Sequence, residues 1–241
     1  MFALIFVSVI IVSLLSFVGV AFLALKKKLL EKILIILVAF ASGTLLGSAF
    51  LHLLPESLVS GESAFIFVLL GIITFFVLEK FLYWRHCHLG KCEVHEFAQL
   101  NVIGDGLHNF IDGVIIAASF LVNIPLGLAT TLAIIFHEIP QEIGDFSILL
   151  YGGLKVKKAL LYNFLSALTA VFGAVFAYFF SSYVENFTLA VPFAAGGFIY
   201  IASTDLIPEL HKRKRLTESF AQFSLLLVGI ILMWLLKALF A

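Results

Sequence analysis

Long apolar segments dominate the chain, and short polar or basic segments separate them at nearly regular intervals. Eight apolar segments each approach or exceed the roughly 20 residues that an α-helix needs to cross the hydrocarbon core of a bilayer. They are Phe2–Leu25, Ile33–Leu54, Ala64–Tyr83, Phe97–Leu121, Pro125–Gly152, Lys158–Tyr183, Leu189–Leu210 and Phe220–Phe240. The pattern predicts an all-α polytopic membrane protein with eight transmembrane helices, here called spans 1 to 8.

The overall composition agrees with this pattern. Hydrophobic residues make up 62% of the chain and charged residues 12%, which lies well outside the range of soluble domains. The apolar segments follow one another too closely to leave space for a soluble domain, so we expect residues 1–241 to form a single transmembrane domain. Span 1 has no basic stretch before its apolar run, which favours a retained helix over a cleaved signal peptide.

The basic residues mark one side of the predicted membrane. All but one of the 15 Lys and Arg residues lie in or beside the connections between spans 1 and 2, 3 and 4, 5 and 6, and 7 and 8; the exception is Lys237. Because cytoplasmic loops carry an excess of Lys and Arg, we predict that these connections are cytoplasmic and that both termini are extracytoplasmic. Basic residues spread over four turns give no support to nucleic-acid binding.

Two related motifs suggest an internal repeat. Span 2 ends with HLLPE at residues 52–56, and span 7 ends with DLIPE at residues 205–209. In the predicted topology these two spans run in opposite directions, so spans 1–3 and 6–8 would form an inverted repeat around spans 4 and 5. Transporters commonly have inverted repeats and a substrate site near the membrane midplane. The predicted arrangement is therefore 3+2+3, with spans 4 and 5 beside the symmetry axis.

Spans 4 and 5 carry polar side chains at helical spacing within apolar sequence. Residues at i, i+3, i+4 and i+7 share one helix face, so each span presents a polar stripe that we expect to face the other span. The stripe residues are Asp105, His108, Asn109 and Asp112 on span 4 and His137, Glu138, Gln141, Glu142 and Asp145 on span 5. Glycines at positions 104, 106, 113 and 144 are expected to allow close helix approach. Asn163 and Ser166 on span 6 either pack against this site or bond between helices.

These two spans contain carboxylates without basic partners. Between Phe97 and Leu154 the chain has five Asp or Glu residues and no Lys or Arg. Desolvating an unpaired carboxylate is costly, so acids within a membrane normally have a basic partner or a proton. We interpret the stripes as a cation site, and a proton-coupled transporter using the same acids stays open. Imidazole and carboxylate ligands without a thiolate suit Zn, Fe and Mn and argue against Cu(I).

At these residues the sequence resembles the ZIP (Zrt-, Irt-like protein) family of divalent-metal transporters. Span 4 contains His-Asn-Phe-x-Asp-Gly, and span 5 contains His-Glu-x-Pro-x-Glu-x-Gly-Asp. The second motif is typical of the branch whose motif reads His-Glu-x-Pro-His-Glu-x-Gly-Asp. The resemblance extends over essentially the whole chain and implies a transport site of the binuclear type.

The resemblance assigns a role to each motif residue. For the primary metal site the motifs imply His108, Asp112, His137 and Gln141, and for a neighbouring second site Asn109 and Glu138. Gln141 stands where the family usually has His or Glu, and Ala170 aligns with a Glu of some two-metal members. We therefore expect one strong site, with the second weak, empty or completed by Glu142 or water.

Other polar residues are candidates for contacts along a transport pathway. For helix-end residues, simple exposure to water is an equally good interpretation. The candidates are His52, Glu56, Asp105, Asp145, Asp205 and Glu209. The predicted cytoplasmic loop 86–96 is rich in metal ligands, but their spacing is not that of a structural zinc module. Its candidate ligands, for metal collection or sensing, are His86, Cys87, His88, Cys92 and His95.

The predicted function is transport of Zn²⁺, with Fe²⁺, Mn²⁺ and Cd²⁺ as alternatives, into the cytoplasm across the plasma (inner) membrane. The metal is the substrate; no catalytic cofactor and no enzymatic activity are expected. An intramembrane metalloprotease would need His-Glu-x-x-His, but Gln141 occupies the second His position and Pro140 interrupts the motif. A non-transporting metal sensor stays open because of the His/Cys loop. Membrane lipid is the other expected partner, and a homodimer is left open.

Overall fold

The fold is known from a computed structural model that describes residues 1–23, 27–58, 61–84, 94–151, 153–182, 187–212 and 216–240. These residues form helices, with no strand among them. Numbered in chain order, four of the helices are continuous: α3, Ser63–Trp84; α4, Val94–Val122; α5, Ile124–Tyr151; and α8, Leu216–Phe240. The others have two parts: α1, Phe2–Leu14 and Val18–Phe22; α2, Lys27–Ser48 and Leu54–Ser57; α6, Val156–Ala167 and Thr169–Phe180; and α7, Ala190–Tyr200 and Ile207–His211. The parts of α1 are joined by a 3₁₀ turn at Leu15–Phe17, and those of α2 and α7 by π turns at Ala49–Leu53 and Ile201–Leu206.

The all-helical prediction is confirmed, and each predicted span corresponds to one of these helices. Among the described residues, seven helices are long and apolar enough to cross a membrane. The remaining one, α5, is 28 residues long but carries the polar stripe of span 5, which lowers its mean hydropathy. This helix packs against α4, α2 and α1, so protein surrounds its polar face.

The closest helix pairs divide the bundle into two groups. One group contains α2, α3, α7 and α8, in which α2 packs extensively on α8 and α3 on α7. The other contains α1, α4, α5 and α6, in which α4 packs extensively on both α5 and α6. The largest contact between the two groups joins α2 and α5. Both polar stripes therefore belong to one packing unit.

Paired glycines bring three pairs of helices into backbone contact. A Cβ added at any of these glycines would lie 1.9–2.5 Å from a carbonyl oxygen of the facing helix, which is closer than two such atoms can approach. The pairs are Gly43 with Gly229 (α2 and α8), Gly71 with Gly196 (α3 and α7) and Gly113 with Gly173 (α4 and α6). Close approach at Gly113 is thus confirmed, whereas the expectation for Gly144 is wrong, because a Cβ there would meet no atom within 4 Å.

The two related proline motifs lie in the same local structure. Pro55 and Pro208 are each the second residue of a short helix that directly follows a π turn. Proline lacks an N–H group and its ring clashes with the carbonyl four residues earlier, so the turn before it widens. The helix pairs also agree with the predicted repeat, in which α1, α2, α3 and α4 correspond to α6, α7, α8 and α5. The pair α2 and α8 corresponds to the pair α7 and α3, and the pair α4 and α6 corresponds to the pair α5 and α1.

Candidate metal site

The polar stripes of α4 and α5 meet in the interior of the bundle. Asp112, His137 and Glu138 are almost completely buried, and the side chain of His108 is 15% exposed. One donor atom from each of these four residues lies within 4.8 Å of the other three. Two helices that are adjacent in the sequence therefore bring two imidazoles and two carboxylates to one point.

The distances within this four-donor cluster fit a tetrahedral zinc ion. His108 Nε2 and His137 Nε2 are 3.3 Å apart, and each is 3.3 Å from Glu138 Oε1. Asp112 Oδ2 lies 3.3 Å from His137 Nε2 and 3.8 Å from His108 Nε2. Tetrahedral Zn²⁺ with bonds of about 2.0–2.1 Å keeps its ligand atoms about 3.3–3.4 Å apart. Four of these five distances match the edge of that tetrahedron, and the four donor atoms all lie within 4.8 Å of one another, so small side-chain movements would suffice to hold the ion.

Hydrogen bonding around the cluster favours a metal over protons. His137 Nδ1 lies 3.2 Å from the carbonyl oxygen of Ala133 and can donate to it, which leaves the Nε2 lone pair directed at the cluster. Apart from the two imidazoles, no described group donates a hydrogen bond to either oxygen of Asp112 or of Glu138. Two protonated imidazoles would also direct N–H groups at each other across 3.3 Å. A shared cation removes both conflicts.

A second set of polar side chains lies one helical turn away along both helices. The Asn109 amide donates to Asp105 Oδ1 at 2.8 Å. From α6, the Ser166 hydroxyl donates to Asp105 and the Asn163 amide donates to Glu142. Asn163 and Ser166, for which packing against the site and bonding between helices were the two alternatives, are thus both bonded to stripe carboxylates.

A cavity of about 380 Å³ opens beside His108. From α4 and α5 its lining includes Asn101, Asp105, Gln141 and Asp145, and from α3 and α7 it includes Phe75, Glu79, Tyr200 and Asp205. Asn101 donates to Asp145 at 2.9 Å, and Tyr200 donates to Glu79. The charged side chains of this lining are acidic, so the cavity attracts cations.

The remaining pathway candidates lie at the two ends of the bundle. His52 and Glu56 line a smaller cavity of about 270 Å³ together with Asn123 and Lys237. There the Asn123 amide donates to Glu56 at 2.7 Å and His52 Nε2 lies 2.8 Å from the carbonyl oxygen of Met233. At the opposite end Glu209 is paired with Lys212.

Sequence reasoning missed several of these contacts. Asn101 lies four residues before Asp105 and continues its stripe, which is a signal that could have identified it. Glu79 is an isolated acid in an apolar span, and its partner Tyr200 had no signal. Of the loop candidates, His86, Cys87, His88 and Cys92 lie outside the described residues, as does the side chain of His95.

The geometry predicts which of two neighbouring side chains is the stronger ligand. Glu138 contributes an oxygen to the four-donor cluster, whereas Gln141 lines the cavity beside it. Because Glu138→Gln removes a charged ligand, and losing a ligand costs more than losing an outer-shell contact, we expect it to lower Zn²⁺ affinity by at least about 100-fold. Gln141→Ala should have a smaller effect, as measured by titration calorimetry on the purified protein. A larger loss of Zn²⁺ affinity in Gln141→Ala than in Glu138→Gln would mean that Gln141 is the ligand, as the motifs imply.

Comparison with known proteins identifies the family. A model described as ZIP Zinc transporter matches residues 2–96 and 85–237. Relatives include the zinc transporter ZIP13 of Pongo abelii, 38% identical over 82% of this chain and 65% of its own length. Another is the zinc transporter zipt-7.2 of Caenorhabditis elegans, 32% identical over 83% of this chain and 57% of its own length. The chain thus spans less than two thirds of these two relatives. It belongs to the ZIP zinc transporter family and is a multi-pass membrane protein.

Proposed function

We propose that this member of the ZIP zinc transporter family carries Zn²⁺ across a membrane through the four-donor cluster on α4 and α5. The observation that carries the proposal is the convergence of four donor atoms within 4.8 Å of one another, two of them buried carboxylate oxygens without another partner. The names of the matched relatives, all zinc transporters, support the same substrate. Fe²⁺, Mn²⁺ and Cd²⁺ are alternative substrates with similar ligand preferences.

Charge balance explains why such a site suits an ion in transit. Asp112 and Glu138 together neutralise one divalent cation, so the loaded site carries no net charge in an environment that penalises charge. The two imidazole nitrogens replace water in the ion's coordination shell without adding charge. Neither Asp112 nor Glu138 is held by another described donor except the imidazoles, so both are available for the ion.

The proposed route leads from the cluster into the acidic cavity and on to the cytoplasm. The cavity reaches Glu79, Asn101, Asp145 and Asp205, which lie toward the helix ends joined by the basic connections. The positive-inside rule makes that side cytoplasmic. This supports import as the direction of transport, with the structure in an inward-facing state and both termini outside.

We further propose that transport involves movement of the two helix groups against each other. Backbone contacts at glycine pairs lie within each group, and tightly packed helices move as units. The matching π turns and helix pairs support an inverted repeat of α1–α3 and α6–α8 within a single transmembrane domain formed by residues 1–241. We propose the plasma (inner) membrane as the location and a homodimer as the assembly.

The family assignment points to a transporter rather than to a catalyst. In a His-Glu-x-x-His protease the Glu is a general base outside the metal shell, whereas Glu138 Oε1 lies 3.3 Å from both imidazoles. A metal-binding sensor would bind Zn²⁺ without moving it.

Reconstitution in liposomes that contain a fluorescent Zn²⁺ indicator separates a transporter from a sensor. We expect saturable Zn²⁺ influx in vesicles with the wild-type protein and only slow leakage in empty vesicles. Zn²⁺ binding by the purified protein without influx above leakage would contradict transport and favour the sensor.

A further inference from the structure

Three hydroxyl groups between the four-donor cluster and the α4–α5 connection are buried without a hydrogen-bond partner. They belong to Ser48 in α2, Ser119 in α4 and Thr130 in α5, here called the hydroxyl layer, and all three residues are 0% exposed. A Ser or Thr hydroxyl within a helix ordinarily donates to the carbonyl oxygen four residues earlier. Four other hydroxyls of the chain do so at 2.6–2.7 Å, those of Ser42, Ser57, Thr131 and Ser147.

Two members of the hydroxyl layer continue the polar stripes of α4 and α5. Ser119 lies seven residues after Asp112, and Thr130 lies seven residues before His137. Seven residues make almost two turns, so each hydroxyl residue shares the face of its stripe and lies about 10 Å further along the helix. Asp112 and His137 are 3.3 Å apart, and the two helices run antiparallel because they are joined directly after Val122. Both hydroxyl residues thus lie at one level, two turns nearer the connection.

The third member, Ser48, comes from the other helix group. The rings of Phe40 in α2 and Phe136 in α5 are 4.8 Å apart, and a bond between the far end of α2 and the α4–α5 connection shows that α2 runs antiparallel to α5. From this ring contact Ser48 is eight residues away and Thr130 six residues away in the same direction, which is about 12 and 9 Å. The π turn of α2 begins directly after Ser48, and π turns within helices are frequent at functional sites.

The hydroxyl layer lies between the smaller cavity and an apolar barrier. Three residues that line the cavity of about 270 Å³ are each four residues from a member of the layer and share its helix face; they are His52, Asn123 and Leu126. One turn from the layer toward the four-donor cluster, each of the three helices has an apolar side chain that is completely buried; these are Leu45, Ile116 and Ile134. The layer is therefore one turn from the cavity, and the barrier separates it from the metal donors.

We propose that the hydroxyl layer lines the closed half of the transport path and contacts the hydrated metal ion when the two helix groups separate at this end. The inference rests on the proposed function, in which Zn²⁺ passes through the four-donor cluster. Separation of the groups here would admit water, which is the partner that the three hydroxyls lack in the closed state. Neutral hydroxyls can hold the water shell of an ion without binding the ion too tightly to release it. Because the closed state leaves three groups unpaired, the layer also favours opening.

Replacement of the Thr130 hydroxyl by a methyl group of similar size tests the layer in the purified protein. Thr130→Val removes an unpaired hydroxyl from the closed state, so we expect its melting temperature to rise by about 2 °C or more. Thr131→Val is the matched control, since the Thr131 hydroxyl donates to the carbonyl oxygen of Gly127 at 2.7 Å. The control should melt at or below the temperature of the wild type. The same result for Thr130→Val would overturn the proposal.

Transport kinetics separate a role in the path from a role in stability alone. Because Thr130→Val favours the closed state, we expect the maximal rate of Zn²⁺ influx into proteoliposomes to fall about fivefold. Zn²⁺ affinity of the purified variant should stay within about twofold of the wild type, and Thr131→Val should keep the wild-type rate. A wild-type maximal rate in Thr130→Val would overturn the proposal. Absence of influx in the wild type would instead contradict the proposed function.

Cysteine modification detects opening of this half without any measurement of transport. In a background with Cys87→Ser and Cys92→Ser, Ser119→Cys would be compared with Ala117→Cys, an equally buried position on another face of α4. We expect a charged methanethiosulfonate reagent to modify Ser119→Cys at least about tenfold faster, because water reaches this position whenever the helix groups separate. Equal rates of modification would overturn the proposal, whether or not the protein transports Zn²⁺.

Discussion

The His137→Ala variant is expected to bind Zn²⁺ at least about 100-fold more weakly than the wild type. Removing a residue that only contacts a metal ligand already lowers affinity by about 10- to 100-fold, and removing the ligand itself should lower it more. His137 Nε2 lies 3.3 Å from a donor atom of each of the other three residues, His108, Asp112 and Glu138. Its removal therefore opens one corner of the tetrahedron and leaves two carboxylates buried without a cation. No other described imidazole lies close enough to replace it.

Titration of the purified protein with Zn²⁺ measures this effect, and His211→Ala is the matched control. His211 is exposed at the end of α7, far along the chain from both polar stripes, so its variant should bind Zn²⁺ like the wild type. An affinity of His137→Ala within about threefold of the control would mean that the four-donor cluster is not the Zn²⁺ site.

The Gly113→Ala variant is expected to lose the folded state or a large part of its stability. A Cβ at position 113 would lie 1.9 Å from the carbonyl oxygen of Ala170, which belongs to the backbone of α6 and cannot rotate away. The two helices would have to separate, and overpacking of this kind costs about 3 kcal/mol or more. Separation would also move Asn163 and Ser166 away from the carboxylates that they bond.

Gly144→Ala provides the matched control on the neighbouring helix. A Cβ at that position meets no atom within 4 Å, and alanine favours a helix by about 1 kcal/mol over glycine. Its melting temperature, followed by size-exclusion chromatography of heated samples, should equal or exceed that of the wild type, while Gly113→Ala should melt much lower. Equal melting temperatures of the two variants would show that the contact at Gly113 has no structural importance.

Periodicity and hydropathy predicted the helices and both polar stripes, because each depends on the local sequence alone. Three of the four residues of the four-donor cluster, His108, Asp112 and His137, were expected at one site. The choice between Glu138 and Gln141 could not be made from spacing. Both lie near His137 on α5, and the approach of Glu138 Oε1 to 3.3 Å from the imidazole of His108 depends on the rotation of α5, which packing against α2 and α4 sets.

Contacts between distant parts of the chain were harder to foresee. The bonds of Asn163 to Glu142 and of Tyr200 to Glu79 join residues on different helices, and no local pattern specifies such pairs. Glycine positions illustrate the same limit: Gly113 and Gly144 look equivalent in sequence, yet only the first faces another backbone.

The initial rate of Zn²⁺ influx into proteoliposomes shows whether Zn²⁺ crosses the membrane through the four-donor cluster. Wild-type protein, His108→Ala, His137→Ala and the control His211→Ala would be compared at equal amounts of incorporated protein. We expect saturable influx for the wild type and His211→Ala, with influx reduced to leakage in both site variants. Influx of His108→Ala and His137→Ala at the rate of the wild type would show that Zn²⁺ does not cross through the four-donor cluster.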